Sequence, residues 1–287
     1  MSGGARASAA ERLACATYWG DVRVTLATFV TSEPFSVGET ITLGEREARH
    51  IRVLRLAVGA RLGLRDGRGA LATAVLVRLA KRHAAVTVEH ADVCEPPSSV
   101  HLLLPVADRD RMIWLAEKAT ELGASSWRPV LWKRSRSVQP RGEGPTFTRK
   151  VAARMEAALE QSRGTWLPIA YPDALPERAI AATPDGLRLL LDLQGVPIAR
   201  LLNHALARES EAGSSSPPPI VIVVGPEGGL EPNELSELGA AGFRSVSIGR
   251  TILRFETAAV AALAVVRSAL MAFSPFEGVA APGVIDA

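Results

Sequence analysis

Residues 219–258 read PIVIVVGPEGGLEPNELSELGAAGFRSVSIGRTILRFETA, and this stretch decides the fold. It opens on Ile220-Val221-Ile222-Val223-Val224, a β-branched run without polar alternation. That is the pattern of a strand buried on both faces of a parallel sheet. Gly225-Pro226-Glu227-Gly228-Gly229 is turn chemistry and ends the strand. A helix is predicted next, with Pro232 in its first turn, Glu231, Glu234 and Glu237 toward its positive end, and Gly242 closing it. Ser245 to Ile248 predicts a second strand, Gly249 to Arg254 a second loop, and Glu256 to Phe273 a final helix. Two glycine-bearing loops therefore follow two strands, one strand–helix unit apart. Open α/β sheets bind ligands at that edge, and glycine lets a ligand approach backbone N–H and C=O groups closely. Either loop alone is equally an ordinary βα turn. The pair of them, with Arg254 and Glu256 beside the second, points to a site; those two residues are alternatively a structural ion pair pinning the last helix.

GPEGG followed by IGRTILRFETA resembles the signature of the SPOUT methyltransferases, and within them is most similar to the bacterial 16S ribosomal RNA (uracil-N3)-methyltransferase family. HIRVLRL (50–56), EKATELGA (117–124) and EAALEQSRG (156–164) agree with it in order and spacing, so the resemblance covers about residues 23–273. It implies an α/β fold: a mainly parallel C-terminal sheet with helices on both faces and a deep trefoil knot, preceded by a small PUA-like β-barrel used for RNA. It also implies a cytoplasmic homodimer that methylates N3 of one uridine in 16S rRNA of the small ribosomal subunit, with S-adenosylmethionine as donor and no metal. The cofactor positions it implies are Leu191, Gly225, Pro226, Glu227, Gly228, Gly229, Ile248, Gly249, Ile252, Leu253 and Thr257. Arg254 would stabilise the uracil anion or position the nucleotide, and Glu256 would orient Arg254 or help remove the proton. The chain departs from its relatives at Glu231, where a small capping residue is usual, at Phe255, where a smaller residue is commoner, and at Arg163-Gly164, which reverses the usual order.

Composition limits the alternatives. A chain of 287 residues that is 47% hydrophobic suits two domains or one large one. No uncharged apolar run reaches the ~18–20 residues of a membrane span. Cys15 and Cys94 form neither a CxxC nor a metal spacing, so a reducing compartment is the default. There is no HExxH, no Walker lysine in GPEGG, and no ordered Ser-His-Asp set. Methyl transfer needs none of these, because the sulfonium is already activated. The net charge of +3 is unevenly spread: residues 128–150 hold seven Lys and Arg against one acidic residue, whereas 151–287 hold ten against fifteen. Cations gathered in the N-terminal segment and one central loop suit a polyanion.

In chain order, residues 1–20 read as a disordered extension and 21–90 as the barrel. Its strands are predicted at 22–29, 41–43, 61–64, 70–77 and 84–88, with a turn at Asp66-Gly67-Arg68-Gly69. A helix over 45–56 is predicted to bury Ala48, Ile51, Leu54 and Leu56 and to present Arg46, Arg49, His50, Arg52 and Arg55 to RNA phosphates. Residues 91–99 are the linker, and 100–274 the methyltransferase domain, opening with a strand over 101–106, a helix over 109–122 and a strand over 127–132. Arg134-Ser135 and Arg136-Ser137 both fit an Arg-Ser pair usual in the family, and both arginines are candidate RNA contacts. A helix over 147–162 follows, on which Glu156, Glu160 and Arg163 are spaced as a surface ladder, whereas the resemblance implies that this segment lies beside the substrate cleft. A third strand spans 187–193, residues 208–219 read as a flexible insertion, and 275–287 as a disordered tail. Two other readings stay open: a SPOUT enzyme with a different RNA target, and a non-catalytic RNA-binding module.

Overall fold

The structure, a computed structural model, describes residues 26–135, 144–214 and 216–273. The two expected terminal segments and Arg136 lie outside these residues. The chain forms two compact units: residues up to 96 with 152–167, and residues 97–151 with 168 onward. The division at 96/97 falls in the stretch read as the linker, and 152–167, read as part of the methyltransferase domain, group with the first unit.

The first unit is a curled five-stranded sheet carrying one helix. Its strands are β1 (Thr28–Val30), β2 (Thr40–Leu43), β3 (Arg61–Arg65), β4 (Ala70–Leu79) and β5 (Ala84–Val93), in the order β1-β3-β4-β5-β2. Only β1 runs parallel to its neighbour. Helix α1 (Glu45–Val53) buries Ala48 and Ile51 against the sheet, and Leu56 packs beside them. Leu54, expected in that core, caps the helix and is 42% exposed. The helix ends there because Arg55 turns into the left-handed region at φ 55°. At the β3–β4 turn, Asp66 Oδ1 accepts the N–H groups of Arg68 and Ala70. Gly67 and Gly69 adopt positive φ, and a Cβ at either would strike Leu167 or Trp166 at 2.6 and 2.5 Å. Those contacts, with the N–H of Gly69 donating to Thr165 O and that of Leu167 to Gly67 O, tie 165–167 to the barrel.

The second unit is a six-stranded sheet, all parallel, with the order β11-β9-β10-β6-β7-β8. Its strands are β6 (Val100–Pro105), β7 (Ser126–Val130), β8 (Ile169–Ala170), β9 (Leu187–Pro197), β10 (Ile220–Val223) and β11 (Arg244–Ser247). The helices are α2 (Arg109–Glu121), α3 (Pro145–Ser162), α4 (Pro176–Ala181), α5 (Ile198–Glu211), α6 (Pro232–Ala240) and α7 (Phe255–Phe273). The division between the units falls inside α3. Strand β10 is buried throughout. Its Val221 and Val223 join Leu103, Val130, Leu190, Leu238 and Phe243 in one core, while α7 packs with α2, α5, β6 and β10. Helix α7 is long and apolar enough to cross a membrane, yet its Phe255, Ala259, Ala262, Leu263, Val266 and Leu270 are buried in this packing. Of the insertion expected over 208–219, residues 208–211 are helical, since α5 continues through Glu211.

The pairing of β9 with β11 is interrupted in a way that builds a wall. Leu190 pairs with Ser245, but the next partner, Val246, faces Val196, so 191–195 leave the ladder. Gly195 is the point of return: a Cβ there would lie 2.4 Å from the Val246 nitrogen, so only glycine passes. The Ser247 hydroxyl fixes the crossing by donating to Gly195 O at 3.0 Å.

Candidate active site

Because every strand of this sheet is parallel, the part of β9 beyond Leu190 and the segments following β10 and β11 emerge at one edge. They enclose a cavity of about 340 Å³. The excursion from β9 contributes Leu191, Asp192 and Leu193; the first glycine loop contributes Gly225, Pro226, Glu227 and Gly229; the second contributes Ile248, Gly249, Ile252 and Leu253. All the expected cofactor positions line it except Gly228 and Thr257. Asp192, Ser247 and Phe255 line it too. Sequence patterning gave no signal for Asp192, because the departure of 191–195 from the ladder is a register event rather than a composition.

Arg254 and Glu256 do not pair with each other. Arg254 is exposed, and its guanidinium makes no hydrogen bond or ion pair among the described residues. Glu256 Oε1 instead faces Arg111 Nε at 3.7 Å, and its other oxygen, Oε2, is buried without a hydrogen-bond partner. Arg111 sits in the first turn of α2, whose N-cap Asp108 accepts the Arg111 N–H and pairs with Arg111 Nε at 3.1 Å. Its Nη1 donates to Glu227 Oε1 at 2.8 Å. One guanidinium from α2 therefore bridges the first glycine loop and the start of α7. Arg111 was missed because nothing in the sequence joins positions 111, 227 and 256. An ion pair between Arg254 and Glu256, left open above, is excluded.

The profile of the RNA methyltransferase domain matches residues 94–267, and that of the RNA methyltransferase PUA domain matches 43–89. The chain is 33% identical over 234 residues to ribosomal RNA small subunit methyltransferase E of Synechocystis, covering 80% of this chain and 74% of that one. The chain belongs to the ribosomal RNA small subunit methyltransferase E family, within the SPOUT methyltransferases. It is 29% identical to the family member of Mycobacterium bovis, with 85% and 91% covered. It also superposes on the crystal structure of the Neisseria gonorrhoeae member bound to S-adenosylmethionine, with a TM-score of 0.72, 28% identity and 85% and 98% of the chains covered.

Set against that family, several cations expected to meet RNA are already occupied. Arg134 donates from Nε to Glu231 Oε1 at 2.7 Å and from Nη1 to Gly228 O at 2.9 Å. Glu231, the departure noted at the α6 N-cap, is thus the partner of Arg134. Beside it Glu234, only 3% exposed, accepts the Glu231 N–H at 2.7 Å and the Lys133 N–H at 2.8 Å, joining the loop after β7 to the start of α6. In the barrel, Arg46 pairs with Glu47, Glu156 and Glu160 at 3.2, 2.9 and 2.6 Å. The ladder expected among Glu156, Glu160 and Arg163 is replaced by this pairing. Arg52 donates to Ala48 O and Lys81 O, and the exposed His50 lies edge-on to Phe29 at 5.4 Å. Arg49 has only a 4.0 Å contact with Glu45, and Arg55 is exposed with no side-chain partner among the described residues.

Proposed function

We propose that the chain transfers the methyl group of S-adenosylmethionine to N3 of a specific uridine in 16S rRNA of the small ribosomal subunit. The observation that carries this reading is the cavity in which both glycine loops and the β9 excursion meet, within a chain of this family. Its volume of about 340 Å³ and its lining of glycines among leucines, isoleucines and valines suit a nucleoside-sized ligand. When bound, the sulfonium supplies a methyl carbon already activated for displacement. What the protein must add is alignment of the acceptor base, stabilisation of its charge and removal of one proton. Uracil attacks through N3 as an anion, after the imide proton leaves.

Arg254 suits the first electrostatic task, because its charge is not spent inside the described fold and an anionic base can claim it. Glu256 is not placed for the second, because Oε1 faces Arg111, Oε2 is buried and the residue does not line the cavity, so we assign proton removal to solvent. We read the expected second copy of the chain as covering the apolar rim of the cavity, where Ile252 is 87% exposed and Leu193 and Leu235 are each 43% exposed.

The test incubates the purified protein with labelled S-adenosylmethionine and small ribosomal subunits that lack the modification, followed by digestion and mass analysis of the nucleosides. N3-methyluridine at a single site is the expected result. Label on another nucleoside keeps the methyltransferase and discards the uracil-N3 assignment. Cofactor binding without label on any RNA returns the non-catalytic reading.

A further inference from the structure

The first glycine loop is gripped from two sides by guanidinium groups, and the grip accounts for its double glycine. Gly228 does not line the cavity. A Cβ at Gly228 would instead lie 3.3 Å from Cβ of Arg134, tighter than most contacts, and at an ordinary 3.5 Å from its Cδ. Gly229, at φ 76°, turns the loop so that its carbonyl neighbour, Gly228 O, meets Arg134 Nη1 at 2.9 Å. The same guanidinium reaches Glu231 at the N-cap of α6, so it ties the loop to the helix that follows. On the other side Arg111 Nη1 holds the Glu227 carboxylate at 2.8 Å, and Glu227 does line the cavity. The backbone carrying Arg134 is itself fixed, because the buried Glu234 accepts the N–H of Lys133.

We propose that Arg134, together with Arg111, is a positioning residue for the methyl donor rather than an RNA contact: the two arginines clamp the 225–229 loop in its binding shape. This rests on the reading that the loop holds S-adenosylmethionine. The clamp contributes through pre-organisation, since a loop of three glycines and one proline otherwise loses considerable entropy on meeting a ligand. It also consumes the charge of Arg134 in bonds to Glu231 and Gly228, leaving it poorly placed to neutralise a phosphate.

The experiment compares wild type, Arg134→Ala, Arg134→Lys and Arg111→Ala. Calorimetry gives the affinity for S-adenosylmethionine, the salt dependence of binding to unmodified 16S rRNA gives the phosphate contacts, and steady-state methylation gives separate KM values for donor and RNA. Thermal melts with and without cofactor confirm that each variant is folded. The expected result for Arg134→Ala is a donor affinity lower by about tenfold, the scale of losing hydrogen bonds to a charged group. The KM for the donor rises with it, while the RNA affinity and its salt slope stay at wild-type values. Arg134→Lys recovers little, because an ammonium cannot serve both acceptors in the planar geometry of a guanidinium. Glu231→Gln, which keeps the fold and removes the charge partner, weakens donor binding in the same direction.

A wild-type donor affinity in Arg134→Ala overturns the clamp while leaving the function intact. So does a fall in the RNA salt slope of about 0.7–0.9, one phosphate contact, that Arg134→Lys restores. Failure of the wild-type protein to bind the donor overturns the functional reading and the clamp with it.

Discussion

Arg46 and Arg254 look alike in the sequence, each in a basic stretch close to a glutamate, and the fold puts them in opposite electrostatic situations. Arg46 is enclosed by carboxylates of Glu47, Glu156 and Glu160, two of them from α3 more than a hundred positions away. Burial works against its charge, but Glu160 and its neighbours more than offset that and hold its pKa above the ordinary arginine range. Arg254, between the lining residues Leu253 and Phe255 in the chain, is exposed without a partner among the described residues. A cation satisfied within the fold must give up bonds before it can read a phosphate or an anionic base; an uncommitted one need not. Count of positive charge along a chain therefore overstates the surface available to a polyanion.

The largest effect should come from the uncommitted arginine. Arg254→Ala is expected to lower single-turnover methylation by about 10²–10³-fold, the usual cost of losing a preorganised donor to a developing anion. Donor affinity should stay within about twofold, since none of the cavity's shape depends on that side chain. Turnover above about a tenth of wild type would remove Arg254 from the chemistry and erase the contrast with Arg46.

On the other side of the comparison, Arg46→Ala should cost about 1 kcal/mol of stability in denaturant melts, because Glu160 is left largely buried without its partner. The salt slope of RNA binding should not change. Arg49→Ala and Arg55→Ala should do the reverse, each reducing the slope by about 0.7–0.9 with little effect on the melt. A slope that falls with Arg46→Ala would show that RNA can compete for a pair already made.

The parallel sheet and its two glycine loops were legible because their signals are local: an unbroken β-branched run, a turn, a capped helix, then the same again. The motif positions also converge, since every strand of the sheet runs the same way and so delivers its loop to one edge. What was not legible depends on pairing. The excursion of 191–195, Leu-Asp-Leu-Gln-Gly, overlaps the end of the expected strand over 187–193, and only Gly195, pressed against the backbone of β11, betrays the crossing. The bridge from Arg111 to Glu227 and Glu256 joins three elements whose sequence spacing carries no hint of contact. Gly228 was read as room for a ligand, whereas the atoms it makes room for belong to Arg134. In the barrel helix, periodicity placed Ala48 and Ile51 correctly, and Leu54 failed because the helix ends at Val53, three residues short of the expected 56.

Arg267 supplies a third electrostatic case and the smallest test. Its guanidinium, deep on α7, is held by carbonyls rather than carboxylates: Ser98 O, at 2.5 Å, and Gly123 O at the end of α2. Burial pulls its pKa down to about 10, well below the usual value, yet it stays charged at neutral pH. Within the same unit, the His101 imidazole bonds Ser126 Oγ through Nδ1 at 2.7 Å. Burial, and then the Arg267 charge, hold the His101 pKa below the ordinary 6.5. The unfolded chain therefore takes up this proton at a higher pH than the folded one, so the contribution is fully present above the unfolded value and is lost as pH falls toward the folded value. His101→Gln removes that loss while keeping a group able to bond Ser126. The drop in Tm between about pH 7.5 and 5.5 should be smaller in the variant by about 2 °C. An equal drop in both proteins would mean that neither burial nor the Arg267 charge holds the folded His101 below its unfolded value.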